Sequence, residues 1–283
     1  MTELATVRTV ADLRRQVAAW KAEGLSVGMV PTMGALHEGH LSLVRLAKER
    51  ADRVVASIFV NPKQFAPHED FDTYPRGEER DAGLLLSAGC DLLYAPAATE
   101  MYAPSFATSV SVSGVSEPLD GEARPHFFSG VATVVSKLLI QCAPDVAVFG
   151  DKDYQQLLVI KRLARDLDLP VEIVGGPTAR DPDGLALSSR NAYLTPEQRQ
   201  IAAALPATLK RLAAAVAAGV PVDAAEQRAV GELQAAGFDK IDYIEVRDGS
   251  DLSRLGPGPA GLGTRVLAAA WLGKTRLIDN MAV

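Results

Sequence analysis

Short apolar runs and helical spacings alternate through the first two thirds of the chain. "LSVGMVP" (25–31) gives way to a helical pattern from about Gly39 to Arg53, and "RVVASIFV" (53–60) follows, apolar in character after Arg53 with only the small Ser57 inside it. A largely apolar run of that length is the pattern of a strand covered on both faces. "CDLLYAP" (90–96), "VAVFG" (146–150) and "VEIVGG" (171–176) continue the series, with helical patterns at 78–88, 129–142 and 153–167. Strands alternating with helices predict a parallel sheet joined by crossover helices, an α/β domain.

After Gly175-Gly176-Pro177 the texture changes. "TPEQRQIAAALPATLKRLAAAVAAG" reads as one helix with Thr195 as N-cap, Pro196 at N1 and Glu197 in the first turn. "DAAEQRAVGELQAAG" predicts a second helix, closed by Gly237, and "DYIEVRD", "TRVLAAAWL" and "TRLIDNMAV" predict three short strands. Helices followed by strands suggest a smaller α+β domain, so the expected division is 1–178 and 179–283. The glycine-rich "GPGPAGLG" (256–263) lacks a Lys, Ser or Thr at phosphate-loop spacing and reads as a plain surface loop.

The chain has 283 residues, enough for a substantial core. Its net charge of −6 argues against bulk binding to nucleic acid or to an anionic membrane surface, which calls for a basic face. A local basic pocket for a small anion stays compatible with it. Cys90 and Cys142 have no C-x-x-C spacing, which predicts buried thiols in a reducing compartment and no zinc knuckle. The N-terminal segment carries acidic residues and no apolar core of a signal peptide. No apolar run approaches the ~18–20 residues that span a bilayer. The expected location is the cytoplasm.

Two of the four histidines stand in "PTMGALHEGHLSL" (31–43), where an apolar run becomes a helix. A zinc-protease helix needs histidines at i and i+4, whereas His37 and His40 are three apart with Gly39 between them. Gly34 and Gly39 match the glycine interval of a P-loop, but His40-Leu41 replaces the Lys and hydroxyl pair that serve phosphate and magnesium. The position itself is informative. A strand end, a glycine turn and a helix start aim backbone N–H groups at one point, and imidazoles there can donate to phosphate oxygens. Polar clusters recur at comparable places: Asn61, Lys63 and Gln64 after the second run; Gly150, Lys152, Asp153 and Gln156 after "VAVFG"; Ser188, Ser189 and Arg190 beyond the boundary. Each has a bland reading as a turn or a solvated charge. Their repetition at strand ends favours a binding crevice.

In this order, "PTMGALHEGH", "FVNPKQF", "FGDKDYQQL" and "LALSSRN" resemble the motifs of the pantothenate synthetase (pantoate–β-alanine ligase) family, from about Val27 to Asn191. That family is similar to the nucleotidylyl transferases whose H-x-G-H element and later lysine-serine loop bracket ATP. The resemblance implies a Rossmann-like parallel-sheet domain, a smaller C-terminal α+β lid domain and a homodimer. It implies an ATP- and Mg²⁺-dependent ligase that forms pantoyl adenylate and pyrophosphate, then pantothenate and AMP on attack by β-alanine. Metal is expected through the ATP phosphates, without protein ligands of its own. The implied ATP-binding residues are Met33, Gly34, Ala35, Leu36, His37, Glu38, Gly39, His40, Gly150, Asp151, Lys152, Asp153, Ala179, Leu187, Ser188, Ser189 and Arg190. Among them His37, His40, Lys152 and Arg190 carry the catalytic expectation, while Asn61, Gln64 and Gln156 are assigned to pantoate and β-alanine.

The chemistry suits these types. A carboxylate and an α-phosphate repel, so cations must gather the charge, and neutral glutamines can hold hydroxyls and a carboxylate without protonating the nucleophile. Three departures stand out. "RPHFFSGV" (124–131) brings His126 one place early, Asp151 replaces a common Glu, and Leu187 replaces a common Met. The competing readings are another small-molecule nucleotidylyl transferase of the same superfamily, a tRNA-charging enzyme, or a non-catalytic nucleotide sensor.

Overall fold

The computed structural model describes residues 3–66, 71–261 and 263–283. Its elements begin with β1 (Thr6–Val7), α1 (Val10–Ala22), β2 (Val27–Thr32), α2 (Glu38–Arg50) and β3 (Arg53–Ile58). They continue with α3 (Glu78–Ser87), β4 (Leu92–Tyr94), α4 (Ala98–Met101), α5 (Asp120–Ala123), α6 (Phe127–Cys142) and β5 (Val146–Gly150). Next come α7 (Tyr154–Asp166), β6 (Glu172–Gly176), α8 (Pro196–Ala202), α9 (Ala204–Ala217) and α10 (Val222–Ala236). The chain closes with β7 (Lys240–Asp248), β8 (Thr264–Leu272) and β9 (Thr275–Ala282). It divides into two compact units, Met1–Asp151 with Gln156–Pro177, and Lys152–Gln155 with Thr178–Val283.

The first unit is built on a six-stranded sheet in the order β1-β4-β3-β2-β5-β6. Every pairing in it is parallel. The strands buried on both faces are those with unbroken apolar runs: Val54, Val55 and Ala56 of β3 are inaccessible to solvent. Helix α2 returns across the sheet on Leu41, Val44 and Ala47, which join Val30, Val54 and Val148 in one core cluster. From β2 the chain winds outward through β3 and β4, then comes back to place β5 on the other side of β2. Open parallel sheets take ligands outside the carboxyl ends of the strands at such a reversal, here β2 and β5.

The N-terminal helix α1 lacks a counterpart in the sequence reading. Its signal is a cap: Thr9 Oγ1 accepts from the Asp12 N–H (3.1 Å), followed by buried Leu13 and Val17 one turn apart.

The second unit packs α8–α10 against the antiparallel sheet β7-β8-β9 through Leu205, Leu209, Leu212, Leu233, Val246, Val266 and Ala268. The single helix expected from Thr195 is two helices, interrupted at Ala203. The cause is Pro206. It has no N–H to give the carbonyl of Ala202, and its ring crowds that carbonyl, so the first helix stops there. Helix α10 ends as expected at Gly237, which takes φ +104°. Residues 256–261 run as an exposed loop; Leu262, within the glycine-rich stretch, lies outside the described residues.

Candidate active site

In the first unit, β2 ends at Thr32 and the chain turns through Gly34 (φ +84°) and Ala35 (φ +52°) before His37 caps α2. A Cβ on Gly34 would lie 3.2 Å from both Asp81 Oδ2 and Ile58 Cγ2, so the turn depends on glycine there. Asp81 of α3 holds the turn. Its buried carboxylate accepts from the N–H groups of Ala35 (2.7 Å) and Leu36 (3.0 Å). Replacing Asp81 by Ala should remove the carboxylate that serves the half-buried Ala35 and buried Leu36 N–H groups and lower stability by about 2–4 kcal/mol, read as a urea midpoint. A loss below roughly 0.5 kcal/mol would show water serving the turn equally well.

The two histidines cap one helix together. His37 Nδ1 accepts from the Gly39 N–H (3.2 Å), and the His37 N–H donates to His40 Nδ1 (3.3 Å). Their ring centroids are 4.2 Å apart. Because each Nδ1 acts as an acceptor, the proton of each neutral ring sits on Nε2. Leu36 and Glu38, two of the expected ATP-binding residues, stand on either side of His37. Leu36 is 1% exposed in the core, so only its backbone belongs to the turn. Glu38 pairs with Arg45 along α2.

Asn61, at the end of the β3 run, is also buried. Its Oδ1 accepts from the Lys63 N–H (3.2 Å) and the Tyr102 hydroxyl (2.7 Å), and its Nδ2 donates to Gly130 O (3.1 Å) and Gln64 Oε1 (3.1 Å). An amide has two donors and two lone pairs, and all are used inside the protein. In this arrangement the Asn61 side chain ties its neighbours together. Gln64 Nε2 lies 3.0 Å from Met33 Sδ, bringing the "NPKQ" turn against the β2–α2 turn. Gly130 lets α6 come this close: a Cβ there would lie 2.3 Å from Lys63 O. The altered "RPHFFSGV" loop runs into α6, with Arg124 stacked 3.8 Å from the Phe127 ring centroid and donating to Gln64 O (3.4 Å).

At the end of β5, Gly150 leads to Asp151, whose Oδ1 would lie 2.3 Å from a Cβ on Gly175 of β6. Gly175, the first of the glycine pair before Pro177, thus makes room for that carboxylate. Gln156 on α7 is half-buried, and its side-chain amide has no hydrogen-bond partner among the described residues.

Within the second unit, Lys152 and Asp153 open the turn before α7. The Lys152 carbonyl accepts from Asn280 Nδ2 of β9 (2.9 Å), while its ammonium stands 3.9 Å from Asp153 Oδ1, beyond hydrogen-bond length. The next residue along β9, buried Asp279, grips Arg180 with two parallel bonds of 2.7 and 2.8 Å. Arg180 belongs to a hairpin in which the Leu187 N–H returns to Ala179 O (2.9 Å). Beyond it Ser188 Oγ accepts from the Arg190 N–H (3.2 Å), capping the 3₁₀ turn Ser189–Tyr193. One strand step thus supports both the lysine turn and the serine-arginine turn. Neither Asn280, Asp279 nor Asp81 announces itself in sequence, since each acts across more than forty residues on a backbone group or an arginine.

No cluster of three or more His, Cys, Asp or Glu side chains able to hold a metal occurs among the described residues. Among them, too, no helix is long and apolar enough to cross a membrane. Cys90 and Cys142 are buried, which pushes their thiols up to about 11 and about 12 and leaves them protonated and unreactive.

The family model described as pantoate-beta-alanine ligase matches residues 5–282. The pantothenate synthetase of Caulobacter vibrioides is 69% identical over 284 residues, covering 100% of both chains. The crystal structure of pantothenate synthetase from Thermus thermophilus superposes with a TM-score of 0.92 at 47% identity, covering 99% of each chain. The pantoate-beta-alanine ligase from Francisella tularensis, complexed with beta-gamma ATP and beta-alanine, gives a TM-score of 0.81 at 32% identity, covering 99% of this chain and 97% of that one.

Proposed function

We propose that this chain, which belongs to the pantoate–beta-alanine ligase family, joins pantoate to β-alanine with ATP as the activating substrate. The observation that carries this reading is the family match, which runs through nearly the whole chain and all four polar turns. A pantoate carboxylate oxygen attacks the α-phosphorus of ATP, the bond to the β-phosphate oxygen breaks, and pyrophosphate leaves. The β-alanine amine then attacks the carbonyl of the pantoyl adenylate. The carbon–oxygen bond to phosphate breaks, AMP leaves, and the amine loses a proton. Mg²⁺ arrives on the triphosphate as part of that substrate.

In this mechanism His37 and His40 donate from Nε2 to phosphate oxygens, a direction supported by the acceptor role of each Nδ1. Lys152 and Arg190 balance charge gathering on the departing pyrophosphate, and Ser188 and Ser189 hold the triphosphate with them. Gly150, Asp151 and Asp153 take the adenosine, with Ala179 and Leu187 beside it. Gln64 and Gln156 orient pantoate; the unengaged amide of Gln156 suits it to that work. The same reading carries a cytoplasmic homodimer whose partners are small molecules, and buried, protonated thiols accord with a reducing compartment.

AMP formation that requires both pantoate and β-alanine tests the reaction and separates it from other nucleotidylyl transfers. Because the acyl adenylate forms first, pantoate alone should support exchange of labelled pyrophosphate into ATP. Exchange that strictly required β-alanine would sink the two-step scheme.

A further inference from the structure

We propose that Tyr102 and Asn61 are positioning residues that decide which end of the Gln64 amide faces pantoate. The inference rests on the functional reading above and adds to it a fixed polarity for one contact. It follows from partners that can act in only one direction. The Lys63 N–H can only donate, so the Asn61 atom facing it is the oxygen. The Gly130 carbonyl can only accept, so the Asn61 atom facing it is the nitrogen. With that nitrogen also 3.1 Å from Gln64, the Gln64 atom facing it must be Oε1. The Gln64 amino group is thereby turned outward, towards the thioether of Met33, a weak acceptor that a ligand oxygen can outbid.

Tyr102 completes the lock. The second lone pair of Asn61 Oδ1 takes the Tyr102 hydroxyl at 2.7 Å, the shortest bond of the set. Burial pushes the phenol up to about 12, so Tyr102 remains a donor throughout the working pH range and this bond does not reverse. The ring itself is held by Phe106 and Phe59, with centroids 5.1 and 6.1 Å away. Donation into Asn61 Oδ1 polarises the amide and strengthens what Nδ2 gives to Gln64. The glycine at 130 is part of the device, since a Cβ there would drive α6 off Lys63 O and part Asn61 from its carbonyl partner.

The test is a double-mutant cycle in the intact protein, with pantoate and ATP kinetics measured separately. Tyr102→Phe keeps the ring and removes only the hydroxyl. It should lower kcat/KM for pantoate about 5- to 10-fold, the scale of one lost neutral hydrogen bond, and leave the ATP KM within about twofold. In a Gln64→Ala background the same change should cost nothing further, because its effect passes through Gln64. A merely structural tyrosine would lower the melting temperature and move both substrates together, in either background. Asn61→Asp gives a second reading. It sets a carboxylate oxygen against Gln64, so the Gln64 amide should turn its amino group inward and weaken pantoate alone. Equal penalties with and without Gln64, or parallel losses for ATP and pantoate, would overturn the relay while leaving the ligase reading intact. Wild-type protein that makes no AMP from pantoate and β-alanine would remove both.

Discussion

Alanine at Lys152 or at Arg190 should lower pantoate-dependent pyrophosphate exchange by a factor on the order of 10²–10³, the usual cost of losing one preorganised electrostatic donor. When a carboxylate attacks an α-phosphate, negative charge converges on the phosphoryl oxygens and on the bridging oxygen of the leaving group. The role proposed for Lys152 is supported by its surroundings. Its side chain is only 19% exposed, its backbone is fastened by Asn280, and the adjacent carboxylate of Asp153 stands 3.9 Å from the ammonium, within ion-pair range but beyond hydrogen-bond length. Arg190 starts from a comparable anchor, with its N–H bound by Ser188 Oγ in a capped turn. Once pyrophosphate has left, most of that charge is gone. Chemically supplied pantoyl adenylate should therefore react with β-alanine at close to the wild-type rate in either variant. Equal losses in the two half-reactions would show instead that these residues shape the fold.

What could be read from sequence follows the range of the forces involved. The parallel strands were legible because burial on both faces demands a continuous apolar run, as in "RVVASIFV" and "VAVFG". Glycines and caps were legible where one residue decides a local conformation, as at Gly237 and Thr195. The interruption at Ala203 is legible too, because Pro206 cannot continue a helix through that turn. The short strand β1 left no trace, because two residues at a sheet edge have no period to detect.

At the candidate site, residue type and spacing suggest chemistry but not the contacts that fix each side chain. Histidines three apart suggested a phosphate cradle, yet nothing in that spacing says that each ring accepts a backbone N–H and so carries its proton on Nε2. Asn61 illustrates the same limit. Its type suits a ligand contact, and only the placement of Tyr102 and Gly130, 41 and 69 residues away, shows that its amide is already saturated. The supporting carboxylates Asp81 and Asp279 are invisible for a related reason: a lone aspartate in a helix or strand gives no hint of a buried partner.

Gln64→Glu is the most direct probe of pantoate recognition, because it changes the polarity of one atom while keeping the size of the side chain. One carboxylate oxygen can still accept from Asn61 Nδ2, as Gln64 Oε1 does at 3.1 Å. The other replaces the amino group beside Met33, so a donor becomes a charged acceptor where the pantoate oxygens are expected. Two penalties then add: the lost hydrogen bond, and repulsion of the substrate's own carboxylate. Together they should cost roughly 2–4 kcal/mol in kcat/KM for pantoate, seen as a raised KM and a lower turnover. Gln64→Met removes the donor without adding charge and should cost visibly less, which separates the two contributions. ATP binding measured without pantoate should stay within about twofold of wild type in both variants, since neither change reaches the phosphate donors. The outcome that excludes Gln64 from pantoate recognition is a folded Gln64→Glu enzyme with unaltered pantoate kinetics.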